Sequence, residues 1–311
     1  MKDNQSVNKS KIIVIVGPTA SGKSDLGIVL AKKFNGEIIS ADSRQVYAGM
    51  DIGTGKVTKK EQALVKHYML DIANPKKVFT ASDFKKLGEK AIKEIMNKHK
   101  IPFVVGGTGF YIDTLVKNMP LPEVAPNKKL RSGLEKKSTE NLYGELKRLD
   151  PKRAVSIDRY NKRRLVRALE IIKITGKPIP ATKESSEYKA LYIGINPAKE
   201  ILKNKITLRL KNRIKQGMVK EVKDLLNSGV TKKRLYDFGL EYRWIENYLN
   251  NKIPHQEMEA GLLKDIIKYS KRQMTWFKKN KEIHWLNPTK SKSKSIKNEA
   301  EKLIKNFLST D

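Results

Sequence analysis

The fold is decided by residues 12–24, which read IIVIVGPTASGKS. The first part is an uninterrupted β-branched run, which is typical of a buried strand. The second part matches the pattern G-x-x-x-x-G-K-[S/T], and apolar residues at helical spacing follow it between Leu26 and Ala31. Such a strand–loop–helix unit turns backbone N–H groups and a helix N-terminus onto phosphate oxygens. The sequence therefore predicts a phosphate-binding loop, here called the P-loop, over residues 17–24.

Two polar side chains of the P-loop have expected roles. The Lys23 ammonium supplies a point charge to the terminal phosphate, and the Ser24 hydroxyl is placed to bind Mg2+. The pattern leaves the reaction open among nucleotide hydrolysis, phosphoryl transfer and retention of a leaving diphosphate. Asp71, after an apolar segment, is either the second acid of a nucleotide-cleaving site or a loop contact. The predicted phosphate-binding residues are Gly17, Pro18, Thr19, Ala20, Ser21, Gly22, Lys23 and Ser24.

The remaining pattern predicts an α/β fold with a P-loop NTPase-like parallel sheet core. Strand-like segments alternate with helical ones, which is the order of a parallel sheet with crossover helices. Beyond Pro120 the pattern turns helical and basic, and it returns to a strand at 190–195. The low-complexity stretch KSKSKSIK, 290–297, is expected to be a linker. The predicted organisation is a catalytic core over 1–118 and 197–287, a helical insertion over 119–196, and a linker with a terminal helix over 288–311.

Composition restricts the partners. Lysine and arginine number 65 against 33 aspartate and glutamate residues, a formal net charge of +32. This excess favours a polyanionic partner, nucleic acid first, although a general use of lysine on solvated faces is the alternative. The sequence has no cysteine, which excludes disulfides and thiolate-bound metals and favours a cytoplasmic location. No apolar run approaches the length of a membrane span, so we expect no membrane partner.

Two further strand ends should lie beside the P-loop. The segment 38–41 delivers Asp42, and the segment 103–105 delivers the run Gly-Gly-Thr-Gly that contains Thr108. The carboxyl ends of parallel strands meet at one edge of a sheet, where ligands bind. Asp42 is therefore a candidate general base or metal neighbour, with a turn or cap residue as the alternative. The glycines form either a tight turn or a space for a close ligand.

Six motifs follow one another along nearly the whole chain: GPTASGKS (17–24), SADSRQVYAGMDIGTGK (40–56), HYMLDI (67–72), VVGGTGFYI (104–112), RRLVRALEI (163–171) and RQMTWF (272–277). Together they resemble the tRNA dimethylallyltransferases, the bacterial IPP transferase family. Eukaryotic members of this family often carry a C-terminal zinc finger, so the absence of cysteine favours the bacterial form.

The resemblance implies a reaction. The P-loop would hold the diphosphate of dimethylallyl diphosphate while N6 of adenosine 37 attacks the allylic carbon and pyrophosphate leaves. It implies Asp42 as general base, with Thr108 and Lys23 as the other catalytic residues. It implies that Arg209 reaches the diphosphate from the second half of the chain, and that Mg2+ sits on Ser24.

The resemblance also implies contacts to tRNA at the anticodon stem-loop. A stacked target base must be extruded to react, so residues near the base would lie beside the cavity. We expect the protein to act as a monomer. The implied tRNA-binding residues are Asp42, Ser43, Arg44, Gln45, Thr108, Arg131, Arg163, Arg164, Leu165, Val166 and Arg167.

Three other functions share parts of this pattern. A P-loop kinase of a small metabolite would explain the loop and Mg2+ but not the basic insertion. A prenyltransferase acting on free adenine nucleotides would share the loop and the base without needing a basic insertion. A non-catalytic RNA-binding protein would not need a complete phosphate-binding loop.

Overall fold

The computed structural model describes residues 9–122, 124–179, 186–288 and 293–310. Within these residues, six strands form one sheet in the order β3–β2–β4–β1–β5–β6, and each neighbouring pair is parallel. This confirms the predicted α/β class. The strands are β1 (Ser10–Val16), β2 (Gly36–Ala41), β3 (His67–Tyr68), β4 (Ile101–Gly106), β5 (Tyr188–Ile195) and β6 (His284–Leu286).

Helices cover both faces of the sheet, which is why β1 is apolar and buried from Ile12 to Val16. Side chains of β1 alternate between two hydrophobic clusters: Ile12 and Val14 belong to one, Ile13 and Ile15 to the other. The helices are α1 (Lys23–Lys33), α2 (Lys59–Leu64), α3 (Ala81–Asn97), α4 (Gly109–Val116), α5 (Lys128–Glu135), α6 (Thr139–Leu149), α7 (Pro151–Ser156), α8 (Lys162–Thr175), α9 (Lys199–Lys215), α10 (Met218–Asn227), α11 (Lys232–Phe238), α12 (Leu240–Leu249), α13 (His255–Phe277) and α14 (Ser293–Ser309).

The chain divides into two compact units, and the second is shorter than expected. One unit comprises Met1–Asn118 and Ser185–Asp311, and it contains the sheet; the other is Met119–Glu184. The expected insertion over 119–196 extends too far, because β5 pairs with β1 from Ser10↔Tyr188 to Val16↔Gly194. Strand β5 is thus an integral part of the sheet.

The C-terminal segment also differs from the expected linker. Helix α14 already begins at Ser293, so residues 293–297 are helical, while 289–292 lie outside the described residues. Its Ala300 and Ile304 are buried in the cluster that includes Ile13 and Ile15. The Lys33 ammonium lies 2.6 Å from the Glu301 carboxylate. The terminal helix therefore packs on the sheet unit.

The third strand, β3, is only two residues long. Pairing ends at Tyr68, because Met69 and Asp71 adopt positive φ angles of 67° and 56° that leave the extended conformation. The Asp71 carboxylate pairs with the ammonium of Lys56, whose side chain is buried. Asp71 is thus a loop contact, and the reading of it as a nucleotide-cleaving acid is wrong.

The insertion unit packs α5–α8 around its own apolar core and one buried charge. The Glu170 side chain is fully buried, and its two oxygens accept hydrogen bonds from Arg131 at 2.8 Å each. Arg167 Nη1 and the Asn127 N–H donate to the same carboxylate, each at 2.7 Å. Burial alone would raise the pKa of Glu170, but the bonds from Arg131 and Arg167 outweigh it and hold the pKa at about 2.

We predict that this carboxylate stabilises the insertion in a pH-dependent way. Glu170→Gln removes the negative charge to which the guanidinium groups of Arg131 and Arg167 are bonded. This should lower the free energy of unfolding of the full chain by about 2–3 kcal/mol at pH 7. The folded pKa is depressed, so the contribution is present above the unfolded pKa of about 4.3 and fades as pH falls toward 2. Urea unfolding at pH 7 and pH 3.5 measures both effects.

Glu135→Gln is the matched control, because Glu135 is exposed on α5. It should change unfolding little at either pH. A wild-type stability in Glu170→Gln at pH 7, or an undiminished deficit at pH 3.5, would contradict the role of Glu170.

Candidate active site

A cavity lies at the carboxyl edge of β1, β2 and β4, where parallel-sheet proteins bind ligands. It brings together residues from the P-loop, from the end of β2 and from α9, which is far away in sequence. Each of these three segments contributes predicted site residues to its lining. All the polar residues that line the cavity are Thr19, Lys23, Ser24, Ser40, Asp42, Gln45, Thr54, His67 and Arg209.

The P-loop has the tight geometry that its pattern predicts. Ala20 and Gly22 have φ angles of 63° and 93°, and the Ser21 N–H donates to the Pro18 carbonyl at 3.2 Å. Helix α1 then begins at Lys23, so its N-terminus points at the cavity. The Lys23 ammonium donates to the Pro18 carbonyl at 3.3 Å. Burial and the nearby Arg209 lower the pKa of Lys23 to about 8, and an anion in the cavity would oppose that shift.

Thr19 departs from its predicted role as a backbone donor to phosphate. Its N–H donates instead to Gln273 Oε1 of α13 at 2.8 Å. Its side chain lines the cavity, and its Oγ1 accepts a hydrogen bond from Arg209 Nη2. The Thr19 backbone therefore faces the protein, and only its hydroxyl faces the ligand space.

Helix α9 adds positive charge from the second half of the chain. Burial and the guanidinium of Arg213, one turn later, lower the pKa of Arg209 to about 9. Arg213 Nη1 donates to the Gly53 carbonyl at 3.3 Å and lies 3.7 Å from Glu241 Oε1. With Lys23, these groups make the cavity suited to a polyanion such as a diphosphate.

Asp42 lies at the cavity and also shapes its own loop. Its Oδ1 accepts the N–H groups of Arg44 at 2.8 Å and Gln45 at 3.4 Å. This is the Asx-turn arrangement, so the turn reading of Asp42 is correct for that oxygen. Because the carboxylate also lines the cavity, a turn role and a chemical role are compatible.

Thr108 ties the ends of β2 and β4 together. Its Oγ1 accepts the Ser43 N–H at 3.1 Å, and its own N–H donates to the Ala41 carbonyl at 3.1 Å. Tyr269 of α13 lies near the Thr108 side chain and the Asp42 carboxylate. Burial and the charge of Asp42 raise the pKa of Tyr269, so this phenol stays protonated at neutral pH.

Arg44 and Gln45 are held by protein contacts. Arg44 Nε donates to the Phe238 carbonyl at 2.9 Å, and its guanidinium lies 5.7 Å from the centre of the Phe238 ring. Gln45 Nε2 donates to the Gly55 carbonyl at 3.2 Å, and its Oε1 accepts from Ser40 Oγ at 3.1 Å. A nucleotide that meets this segment must compete with these bonds.

The predicted tRNA contacts of the insertion unit fall into three groups. Arg163 and Arg164 are exposed on the first turn of α8, while Arg131 and Arg167 are about a third exposed and bonded to Glu170. The predictions for Leu165 and Val166 are wrong as side-chain contacts. Both are buried in the core of the insertion, because the helical period turns them inward.

Residues 45–280 match the family model described as IPP transferase. The chain belongs to this family. It is 38% identical over 307 residues to the tRNA dimethylallyltransferase of Alkaliphilus oremlandii and 40% identical over 310 residues to that of Acetivibrio thermocellus. Each alignment covers 96% of this chain and 97% of the relative. The family resemblance read from the motifs is thus confirmed.

Solved structures agree with the fold. The tRNA isopentenylpyrophosphate transferase of Bacillus halodurans superimposes with a TM-score of 0.73 at 34% identity, covering 96% of both chains. A eukaryotic dimethylallyltransferase acting on tRNA superimposes with a TM-score of 0.82 at 26% identity, covering 96% of this chain and 80% of the other. The described parts of this IPP transferase family member contain no helix that is long and apolar enough to cross a membrane.

Helix α13 carries functional contacts that the sequence reasoning missed. Gln273 and Trp276 pack on Gly107 and Gly109, where an added Cβ would lie 2.3 Å from Gln273 Nε2 and 2.2 Å from the Trp276 ring. These two glycines therefore make room for α13 and not for a ligand. The motif RQMTWF was the available signal, since it contains both side chains, but its spacing alone does not show what they contact.

Ser21 supplies a direct test of the phosphate-binding loop in this transferase. Its buried Oγ has no hydrogen-bond partner among the residues that the structure describes. An unpaired buried hydroxyl costs stability, and a phosphate oxygen would give it an acceptor. We therefore expect Ser21→Ala to leave the melting temperature unchanged or higher while weakening pyrophosphate binding severalfold. Differential scanning calorimetry and titration calorimetry measure the two effects.

Ser228→Ala is a control with the opposite expectation, because Ser228 Oγ donates to the Leu225 carbonyl at 2.7 Å away from the cavity. It should lower stability slightly and leave pyrophosphate binding intact. A lower melting temperature with unchanged binding in Ser21→Ala would refute the assignment of this hydroxyl.

Proposed function

We propose that this protein transfers a dimethylallyl group from dimethylallyl diphosphate to N6 of adenosine 37 in tRNA and releases pyrophosphate. The observation that carries the proposal is one cavity that joins a cationic phosphate cradle at the end of β1 to the Asp42 carboxylate at the end of β2, two strands away in the sheet. Relatives named tRNA dimethylallyltransferase, aligned over nearly the whole chain, support the reaction class. A structural neighbour described as acting on tRNA supports the acceptor.

The proposed step balances in atoms and charge. The N6 lone pair forms a bond to the allylic carbon, the C–O bond to the diphosphate breaks, and its electron pair stays on the departing oxygen. Lys23, Arg209 and the N-terminus of α1 stabilise the charge that develops there, because they are oriented before the reaction begins. The proton lost from N6 goes to Asp42.

Asp42 suits the base role through its two oxygens. The N–H groups of Arg44 and Gln45 fix Oδ1, which sets the orientation of the carboxylate. We assign the proton to Oδ2. Thr108 accepts the Ser43 N–H and donates its own N–H to the Ala41 carbonyl, which holds the two strand ends so that the amine and the carboxylate can meet.

Mg2+ fits the donor atoms of this cavity. The Ser24 hydroxyl and the Asp42 carboxylate both line it, and they are oxygen donors of the kind that Mg2+ binds together with substrate phosphates and water. The described residues hold no cluster of three or more histidine, cysteine, aspartate or glutamate side chains that would form a metal site alone. When bound, the ion would neutralise charge on the diphosphate; Ser24 would hold it.

The net charge of the chain and the exposed arginines of the insertion unit support tRNA as the acceptor of the dimethylallyl group. The net charge of +32 suits a polyanion, and Arg163 and Arg164 present exposed guanidinium groups on the insertion unit. Residues 42–45, in the sheet unit, are placed to meet an extruded base at the cavity. A free adenine nucleotide would use the same cavity but not the basic insertion.

The test uses radiolabelled dimethylallyl diphosphate, Mg2+ and unmodified tRNA, with tRNA carrying guanosine at position 37 and free AMP and ADP in parallel. We expect label only in the tRNA that carries adenosine 37. Asp42→Asn should keep tRNA affinity and lose at least about a hundredfold in turnover, because it removes the base and keeps the shape.

Asp224→Asn is the control carboxylate, since Asp224 is exposed on α10 and pairs with Lys220. It should transfer label at the wild-type rate. Label in AMP or ADP instead of tRNA would assign the acceptor to free nucleotides, and normal turnover in Asp42→Asn would remove it as the base.

A further inference from the structure

Gln273 connects two strand ends beneath the cavity. Its side chain is only 6% exposed, on α13. Its Oε1 accepts the Thr19 N–H at 2.8 Å, and its Nε2 donates to the Gly107 carbonyl at 2.9 Å. Thr19 follows β1 and Gly107 follows β4, so one amide joins the P-loop to the neighbouring loop.

The chemistry of this contact specifies an amide. One end must accept from an N–H and the other must donate to a carbonyl, and a neutral carboxamide does both at once. A carboxylate offers acceptors only, and an apolar side chain of the same length offers neither. A Cβ added at Gly107 would lie 2.3 Å from Gln273 Nε2, so the glycine leaves the room that the carboxamide needs.

The Gln273 contact reaches the ligand space through Thr19. The Thr19 peptide is fixed by Gln273, while the Thr19 hydroxyl accepts from Arg209 Nη2 in the cavity. A rotation of the Thr19 peptide would therefore move the acceptor that holds Arg209. The anchor is firm, because Trp276 Nε1, one turn further along α13, donates to Asp113 Oδ2 of α4 at 2.8 Å.

We propose that Gln273 is a positioning residue that sets the P-loop in its diphosphate-binding conformation and, through Thr19, fixes Arg209 against the diphosphate. The identity of the substrate rests on the proposed function, but the effect on a diphosphate does not. Gln273 touches no reacting atom; it acts through Thr19. Its removal therefore weakens diphosphate binding without changing affinity for tRNA.

Gln273→Met tests the positioning role while keeping the length of the side chain. We expect its affinity for inorganic pyrophosphate, measured by calorimetry, to fall about tenfold, because a buried N–H and a buried carbonyl lose their partners. The KM for dimethylallyl diphosphate should rise by a similar factor, with the Kd for tRNA unchanged. Gln256→Met is the matched control on the exposed first turn of α13 and should match wild type.

Gln273→Glu adds a second measurement, the pH dependence of pyrophosphate affinity, which would not change if Gln273 had a purely structural role. A protonated glutamate has one donor and one acceptor, as glutamine does, whereas the ionised form repels the Gly107 carbonyl. Burial raises the pKa of a carboxyl group, so the deficit in pyrophosphate affinity relative to wild type should shrink as pH falls from 8 to 6. The other charged or titratable groups around the site are the same in both proteins, so the ratio of the variant's pyrophosphate affinity to that of wild type removes their contribution. These groups are Lys23, Arg209, Asp42, Tyr269 and Asp113.

The outcomes separate the two proposals. Wild-type pyrophosphate affinity in both Gln273 variants, or a Gln273→Glu deficit that does not change with pH, overturns the positioning role. Wild-type protein that binds pyrophosphate but transfers no label to tRNA overturns the proposed function and leaves the Gln273 result standing. Melting temperatures of all variants identify a loss of folding, and the recovery of Gln273→Glu at pH 6 cannot come from an unfolded chain.

Discussion

The site depends on keeping several positive charges close together in a partly buried cavity. Burial lowers the pKa of both Lys23 and Arg209, and a neighbouring guanidinium lowers each further: Arg209 acts on Lys23, and Arg213 acts on Arg209. The carboxylates of Asp42 and Glu241 reduce the repulsion among these cations. In the proposed reaction a bound diphosphate would relieve this repulsion, and a departing diphosphate would relieve it most, because its charge grows as the C–O bond breaks.

The surrounding fold can be understood as the scaffold that holds those charges in place. Strand β1 is apolar on both faces because helices cover both, so the P-loop begins from a rigid and buried base. Helix α9 carries Arg209 to the same edge, and α13 fixes the Thr19 peptide through Gln273. The remaining contact, from Thr108 to the Ser43 N–H, aligns the end of β2 with the end of β4. Each element contributes one restraint on the cavity.

Local patterns allowed the P-loop and the strand ends to be predicted, and long-range packing explains most of what was missed. The motif at 17–24 and the rule that parallel strands share one edge placed Lys23 and Asp42 correctly beside each other. The inward bond of the Thr19 N–H could not be predicted, because its partner Gln273 is 254 positions away. The GGTG glycines suggested room for a ligand, but Gly107 and Gly109 accommodate side chains of α13. Periodicity likewise predicted helices in the insertion, yet not the buried Glu170 that organises two of its arginines.

In the proposed function the P-loop retains a leaving diphosphate and does not cleave a nucleotide. A single-turnover reaction with unmodified tRNA and dimethylallyl diphosphate tests this: released pyrophosphate is counted against dimethylallyl groups attached to tRNA, with ATP offered in a parallel reaction. We expect equal amounts of the two products and no phosphate released from ATP. Phosphate released from ATP, with no pyrophosphate coupled to tRNA modification, would contradict the proposed function.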